Sequence, residues 1–285
     1  MPLDEYKRKR NFAKSPEPTG EAAGKRSTKK KGDLFFCVQK HLASHLHYDL
    51  RLEWKGVLLS WAVPKGPSIN PADKRLAMHV EDHPIEYGDF EGVIPEGYGA
   101  GIVMLWDKGT WEPDTDDVDA AFRKGDLKFR LNGYKLKGSW VLVRTRGYGE
   151  SSGGAGRSWL LIKHRDDWAG PIDITTFAPH SVKTPDADLA DILAADNPGI
   201  WRSNAPARGG DTGAMFQKII ARALEIKNEN ARLTESKAPK QSIESKAAKG
   251  RERPNKLQGT LARRNRRARP ASKTARARST TTRKG

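Results

Sequence analysis

From residue 33 onward, short runs rich in Val, Ile, Leu, Phe and Trp alternate with Gly and Pro punctuation, a pattern that predicts consecutive β-strands. Strands are expected over residues 34–40, 47–54, 57–62, 76–81, 101–108, 127–131, 139–145 and 159–164. Helical patterning is confined to 117–124, 187–195 and a marginally amphipathic 215–233. About eight short strands with so little helix between them predict a mostly β fold, an antiparallel sandwich or barrel rather than a βαβ architecture. The Gly97-Tyr-Gly99-Ala-Gly101 segment imitates a nucleotide-binding loop, but it runs into a strand where such a loop needs a helix, so it is expected to be a turn. The eight Trp residues are expected in the core, His164 at a strand end, and the lone Cys37 as core filler.

Residues 1–32 lack hydrophobic periodicity and are rich in Lys, Arg, Pro, Gly and Glu, so they are expected to form a basic arm, not a packed element. Residues 33–180 hold the strands, 181–200 a closing segment, and 201–285 a largely disordered basic tail. The Gly- and Ser-rich stretch 147–157 is expected to be a flexible hairpin connection.

Charge sharpens this division. The formal net charge is +17, yet the first 200 residues hold 29 Lys+Arg against 29 Asp+Glu, so the whole excess lies from residue 201 onward. A segment so basic, with Arg263-Arg264-Asn265-Arg266-Arg267 at its densest point, cannot bury enough apolar surface to offset chain entropy, but it can bind a polyanion through counterion release. One cysteine excludes an internal disulfide framework and fits a reducing cytoplasm. No apolar run approaches the ~18 residues of a membrane span, so no membrane association is expected.

The chemistry concentrates in His41-Leu-Ala-Ser-His45-Leu-His47-Tyr-Asp49-Leu-Arg51-Leu-Glu53. Along a strand, successive side chains alternate faces, which puts His45, His47, Asp49, Arg51 and Glu53 on one side and Leu46, Tyr48, Leu50 and Leu52 on the other. Two imidazoles and a carboxylate suit Mn, Fe or Zn with positions left open, and a guanidinium supplies a fork for phosphate. The residues alone do not separate His45 from His47 as ligand. A second group, Arg75, His79, Glu81 and His83, shares a face if Leu76, Met78 and Val80 point inward.

These blocks, with Gln39-Lys40-His41, Trp61-Ala-Val-Pro-Lys65-Gly-Pro-Ser68, Val80-Glu-Asp-His83-Pro, Tyr87, Asp89-Phe-Glu-Gly-Val-Ile-Pro-Glu-Gly-Tyr98 and Leu136-Lys-Gly-Ser-Trp140, resemble the 3′-phosphoesterase domain of bacterial DNA ligase D over roughly residues 6–168. The resemblance implies a small β-barrel that uses Mn²⁺ or another divalent transition metal to heal DNA 3′ ends during non-homologous end joining. A phosphodiesterase step would remove a terminal ribonucleoside, and a phosphomonoesterase step would remove the remaining 3′-phosphate. By position it implies His41, His47 and Asp49 as metal ligands, and Arg51, His83 and Tyr87 as phosphate-holding catalytic residues. Lys65 and Arg75 would support them, and Glu81 would orient these groups. Arg10 and Glu17 fall in a segment that resembles the family's arm supporting the monoesterase step, and the resemblance implies that role for them; the family usually carries Asp where this chain has Asn11, which keeps an oxygen acceptor but loses a charge. The implied partners are DNA with 3′-ribonucleotide or 3′-phosphate ends, Ku, and a separate ATP-dependent ligase or polymerase in the bacterial cytoplasm, at the nucleoid. A stand-alone version of the domain is expected, with the basic tail holding DNA. The rival functions are a non-catalytic DNA-end binder and a non-haem iron oxygenase built on a two-His-one-carboxylate triad.

Overall fold

The alternating segment between residues 34 and 63 forms three antiparallel strands, β1 (Leu34–Leu42), β2 (Leu46–Trp54) and β3 (Val57–Val63). Lys55 and Gly56, both at positive φ, make the two-residue turn between β2 and β3, whose twist matches that of the paired strands. There follow β4 (Arg75–His79), the short β5 (His83–Pro84), a 3-10 turn at Ile85–Asp89, β6 (Gly92–Ile94) and β7 (Glu96–Gly97). The long β8 (Gly101–Pro113), β9 (Asp126–Gly133), β10 (Lys137–Arg144) and β11 (Ser158–Lys163) complete the wall. The structure, a computed structural model, describes residues 3–21, 34–145, 156–195, 202–203 and 210–237. The connection expected over 147–157 falls almost wholly outside the described residues, as does the tail beyond 237.

Strand order runs β1-β2-β3-β4-β11-β10-β9-β8, and β8 pairs back onto β1, so eight antiparallel strands close a barrel. Closure removes the exposed edges that an open sheet would leave. At the β1–β8 seam the register shifts between Val38 and Gln39, leaving Trp106 as an extra residue on β8; its ring stays inside against Tyr48. Gly101 opens β8 at φ 156°, where a Cβ would lie 2.2 Å from the Leu42 carbonyl oxygen, so only glycine lets the two strands approach this closely.

Alternation gives β1 to β3 two buried faces. Inward, Phe36, Val38, Leu50, Leu52 and Trp61 join Trp106, Trp111, Trp140 and Trp159 in the barrel core. Outward, Phe35, Cys37, Leu58 and Leu105 meet Tyr6 and Tyr87 in a smaller cluster. Polar outward positions further along the same strands carry the candidate site, so that site lies on the barrel's outer wall beneath covering segments. Cys37 is buried as expected, and so are Trp61, Trp106, Trp111, Trp140 and Trp159, with Trp54 partly buried against the core; Trp168 departs from the expectation at 55% exposed, because it follows β11 outside the barrel, and Trp201 lies outside the described residues.

Helix α1 (Asp4–Arg8) precedes the barrel, α2 (Val118–Lys124) bridges β8 and β9, and α3 (Ile174–Phe177) and α4 (Leu189–Ala195) follow β11. Asp117 caps α2 by accepting from the Ala120 amide, and Gly125 ends it in the left-handed conformation. Helix α4 packs on β8, β6 and α5 (Gly210–Lys237); β12 (Arg202–Ser203) lies parallel to β7.

Three expectations need correction. The arm is not free: residues 3–21 fold onto the wall, with Tyr6 fully buried and its hydroxyl donating to the Pro18 carbonyl at 2.6 Å. Tyr6 supplies the apolar anchor that periodicity over so short a stretch does not reveal. In β4 the fully buried residue is Ala77, while His79 packs on Trp61 and Phe122 at ring distances of 5.4 and 5.2 Å, because the strand pairs both β3 and β11 and ends at His79. Parity therefore does not carry from Arg75 and His79 to Glu81 and His83. The segment from residue 201 is not wholly without structure either, since α5 is longer than expected and its Met215, Phe216, Ile219 and Ile220 pack on the core.

Candidate metal and phosphate centre

Cross-strand register assembles the site. His41 of β1 stands opposite His47 of β2, Gln39 opposite Asp49, Asp49 opposite Ala62 and Arg51 opposite Ser60, all on the outward face. His41 enters the group because β1 runs on to Leu42 and pairs with the start of β2. His45 sits exposed in the intervening turn, apart from the converging ligand atoms.

The ligand atoms of His41, His47 and Asp49 lie within 4.8 Å of one another. Hydrogen bonds orient both rings. A carbonyl can only accept, so His41 Nε2 carries the proton facing Gly99 O at 2.9 Å, and His47 Nδ1 carries the one facing His45 O at 2.9 Å. The bare nitrogens, His41 Nδ1 and His47 Nε2, then point at Asp49 from 3.7 and 3.6 Å. Carbonyl partners that fix the tautomers of two convergent imidazoles are the arrangement by which proteins prepare metal ligands. The donor set of two nitrogens and one carboxylate fits a divalent transition metal. Burial raises the Asp49 carboxyl, but the Arg51 guanidinium beside it is the largest opposing influence, and the group is held well below the usual carboxylate range. Burial lowers His47, opposed by Asp49. Both shifts favour the forms that bind metal.

Arg51 is 2% exposed and fixed on three sides. Nε donates to Gln39 Oε1 at 2.7 Å, Nη1 to Ser60 Oγ at 2.9 Å and Nη2 to Asp49 Oδ2 at 2.9 Å. Of its five donors, about two remain for an anion. Gln39 is itself locked by donating to the Tyr87 and Phe90 carbonyls. Below Arg51, the Tyr87 ring stands 4.8 Å from the guanidinium carbon and 4.8 Å from the His83 ring. His83 Nδ1 donates to Glu81 O at 2.9 Å, so Nε2 accepts from Arg10 Nη2 at 3.1 Å; burial, with Arg51 and Arg10 nearby, holds the imidazole neutral, well below its ordinary pKa. Arg10 reaches this point from the arm, stacked 3.9 Å over Tyr6 and paired with Glu17 at 2.8 Å and Glu81 at 3.1 Å.

His41, His47, Asp49, Arg51, His83, Tyr87 and Arg10 line one cavity of about 230 Å³, which also includes Tyr98 and Gly99. A site built of imidazole, carboxylate and a forked guanidinium can hold a metal ion and a phosphate side by side. Residues 39–144 match the family described as the DNA ligase D 3′-phosphoesterase domain. This segment belongs to that family. Over 215 residues the chain is 47% identical to the multifunctional non-homologous end joining protein LigD of Pseudomonas aeruginosa, covering 74% of this chain and 24% of that protein. The LigD proteins of Mycobacterium tuberculosis and Mycolicibacterium smegmatis are 44% identical over 149 residues and 39% over 172, covering 51% and 58% of this chain. The chain thus spans about a quarter or less of these relatives' lengths.

Within the phosphoesterase domain, His41, His47, Asp49, Arg51, Glu81, His83, Tyr87 and Arg10 converge, with Glu17 behind Arg10. Lys65 is exposed in the turn after β3 and Arg75 pairs with Asp73 at 3.0 Å; neither lines the cavity. Sequence reasoning missed the positioning roles of Ser60, Gln39 and the Gly97–Gly101 turn. That turn is a turn as expected, but it also supplies a carbonyl to His41 and the Tyr98 ring to the wall.

Proposed function

We propose that this chain is a metal-dependent DNA 3′-end-healing phosphoesterase acting in end joining. The observation that carries the reading is the pair of tautomer-fixed imidazoles converging on Asp49 beside a guanidinium with donors to spare. His41, His47 and Asp49 would hold the ion, Mn²⁺ by family analogy. When bound, a divalent ion supplies Lewis-acid polarisation of a phosphoryl oxygen. Arg51 binds the same phosphate through its remaining donors and stays in register because Gln39 and Ser60 hold it. His83, neutral, and Tyr87 line the same cavity and would border the phosphate there, and Arg10 brings a second guanidinium to that wall. This favours a phosphoryl group whose charge grows during displacement. Removal of a terminal ribonucleoside and then of the 3′-phosphate, cooperation with Ku and a separate ligase or polymerase, and DNA retention by the basic tail belong to the same proposal.

A primer-template duplex ending in one 3′-ribonucleotide tests it, incubated with and without Mn²⁺ and with His47→Ala as control. Metal-dependent shortening to a 3′-phosphate or 3′-hydroxyl end, absent in the variant, is expected. Tight DNA binding without cleavage by any divalent metal would instead support the non-catalytic end binder. Asn11 accepts from the Ala13 amide at 3.2 Å and lines the groove beside Arg10. Asn11→Asp is therefore expected to raise monoesterase relative to diesterase activity; an unchanged ratio would remove any role for the missing carboxylate.

A further inference from the structure

The catalytic cavity, at about 230 Å³, accommodates a phosphate and its immediate surroundings but falls short of the roughly 300–1,000 Å³ of sites that enclose drug-sized ligands. Nucleosides attached to that phosphate must lie outside it. A larger groove of about 520 Å³ adjoins it, and Arg10 and Tyr98 line both. The arm forms one wall of this groove and β7, with Tyr98 after it, the other.

The groove is suited to a phosphate-bearing strand. Four cations, Arg8, Lys9, Arg10 and Lys14, line it against two carboxylates, Glu17 and Glu96. Glu17 is already engaged by Arg10 and by the Ser15 hydroxyl. Lys14 and Glu96 pair across the groove at 2.7 Å, but with side chains 60% and 36% exposed the pair is worth at most about 1 kcal/mol and is readily exchanged for a phosphate. Arg8 is exposed and makes no ion pair among the described residues.

Tyr98 adds the surface a base needs. It is 47% exposed, with the Lys9 ammonium 4.7 Å from its ring centroid, and Lys9 is itself held by Glu5 and Glu81. Gly97 and Gly99 flank it at positive φ, and the Gly99 carbonyl also anchors His41, so the ring belongs to the residue immediately before the one that orients a proposed metal ligand. Aromatic platforms beside basic walls are how proteins hold single strands without sequence preference.

We infer that this groove seats the DNA strand on the 5′ side of the scissile phosphate, Tyr98 stacking on the base of the nucleotide that becomes the new 3′ end while Arg8 and Lys14 neutralise phosphates behind it. The inference rests on the proposed phosphoesterase function. The polarity follows from chemistry: a terminal ribonucleoside carries no phosphate beyond the scissile one, so a basic wall serves only the body of the strand. Tyr98 is thus a positioning residue.

The test uses the full chain, the ribonucleotide-ended duplex and steady-state kinetics, with a second readout that needs no turnover. Tyr98→Ala is expected to raise KM roughly 5- to 150-fold, the range for losing one stacked base, with kcat within about threefold of wild type; Tyr98→Phe keeps the ring and should restore KM. The Arg8→Ala/Lys14→Ala variant should flatten the slope of log KM against log salt by about 1.4 to 1.8. In parallel, DNA carrying 5-iododeoxyuridine just before the terminal nucleotide is photo-crosslinked in chelator. A crosslink on the Tyr98 peptide that Tyr98→Ala abolishes is expected. Crosslinks mapping elsewhere, or an unchanged KM and salt slope in the variants, would overturn the groove assignment while leaving the enzyme reading intact. A chain that never cleaves but still crosslinks through Tyr98 would overturn the enzyme reading and leave the groove standing.

Discussion

Replacing Arg51 with Met exposes the central electrostatic debt of the site. The guanidinium is 2% exposed, donates three hydrogen bonds of 2.7 to 2.9 Å and is the principal cation holding Asp49 ionised. Met keeps much of the aliphatic volume but leaves the Asp49 carboxylate buried without its partner. Removing one member of a buried pair costs about 3–5 kcal/mol. At about 2–4 °C per kcal/mol for a chain of this size, the melting temperature in chelator should fall by roughly 6–20 °C. Asp49→Asn in the Arg51→Met background removes the stranded charge and should recover part of that loss, whereas additivity of the two single changes would mean the residues do not interact. The pH dependence carries a sign. Because the folded-state pKa of Asp49 is depressed, its stabilisation is present above the ordinary carboxylate range, about pH 4, and is lost as pH falls through and below it. In Arg51→Met the depression shrinks, so stability should depend less steeply on pH on the acid side. A variant with wild-type melting temperature and an unchanged acid slope would refute this account of the site.

Added Mn²⁺ should raise the melting temperature of the wild type and not that of His47→Ala; an equal metal-induced shift in both would mean the ion binds elsewhere. His83 should show no imidazole titration around the ordinary midpoint near 6.5, seen as flat imidazole proton shifts by NMR there, since burial and two arginines oppose its charging; a midpoint near 6.5 would contradict the Arg10 contact. Gly101→Ala should destabilise the barrel by about 1–3 kcal/mol in urea unfolding, because the added Cβ meets the Leu42 backbone at the β1–β8 seam; unchanged stability would show that the seam relaxes freely. Truncation after Lys237, which spares the α4–α5 packing, should reduce DNA affinity and flatten its salt dependence. Equal slopes with and without residues 238–285 would end the proposed role of the basic tail.

Local pattern alone determined the wall of this protein. Each of the eight expected strands exists, because alternation of apolar and polar side chains is a property of neighbouring residues and survives without knowledge of the fold. The same period of two put His47, Asp49 and Arg51 on one face, and the resemblance in motif order pointed to the proposed ligand set of His41, His47 and Asp49. Long-range pairing decided the rest. His41 became opposite His47 only when β1 extended and paired, and its tautomer depends on a carbonyl 58 positions away in Gly99. Arg10 meets His83 across 73 positions, from an arm whose composition suggested no packing. His79 turned inward because β4 ends before Glu81, which interrupted the parity assumed from one to the next. Periodicity reports which face a side chain takes within one element; which carbonyl, ring or guanidinium faces it from another element is fixed by barrel closure and by the bulge at Trp106, and no local pattern encodes either.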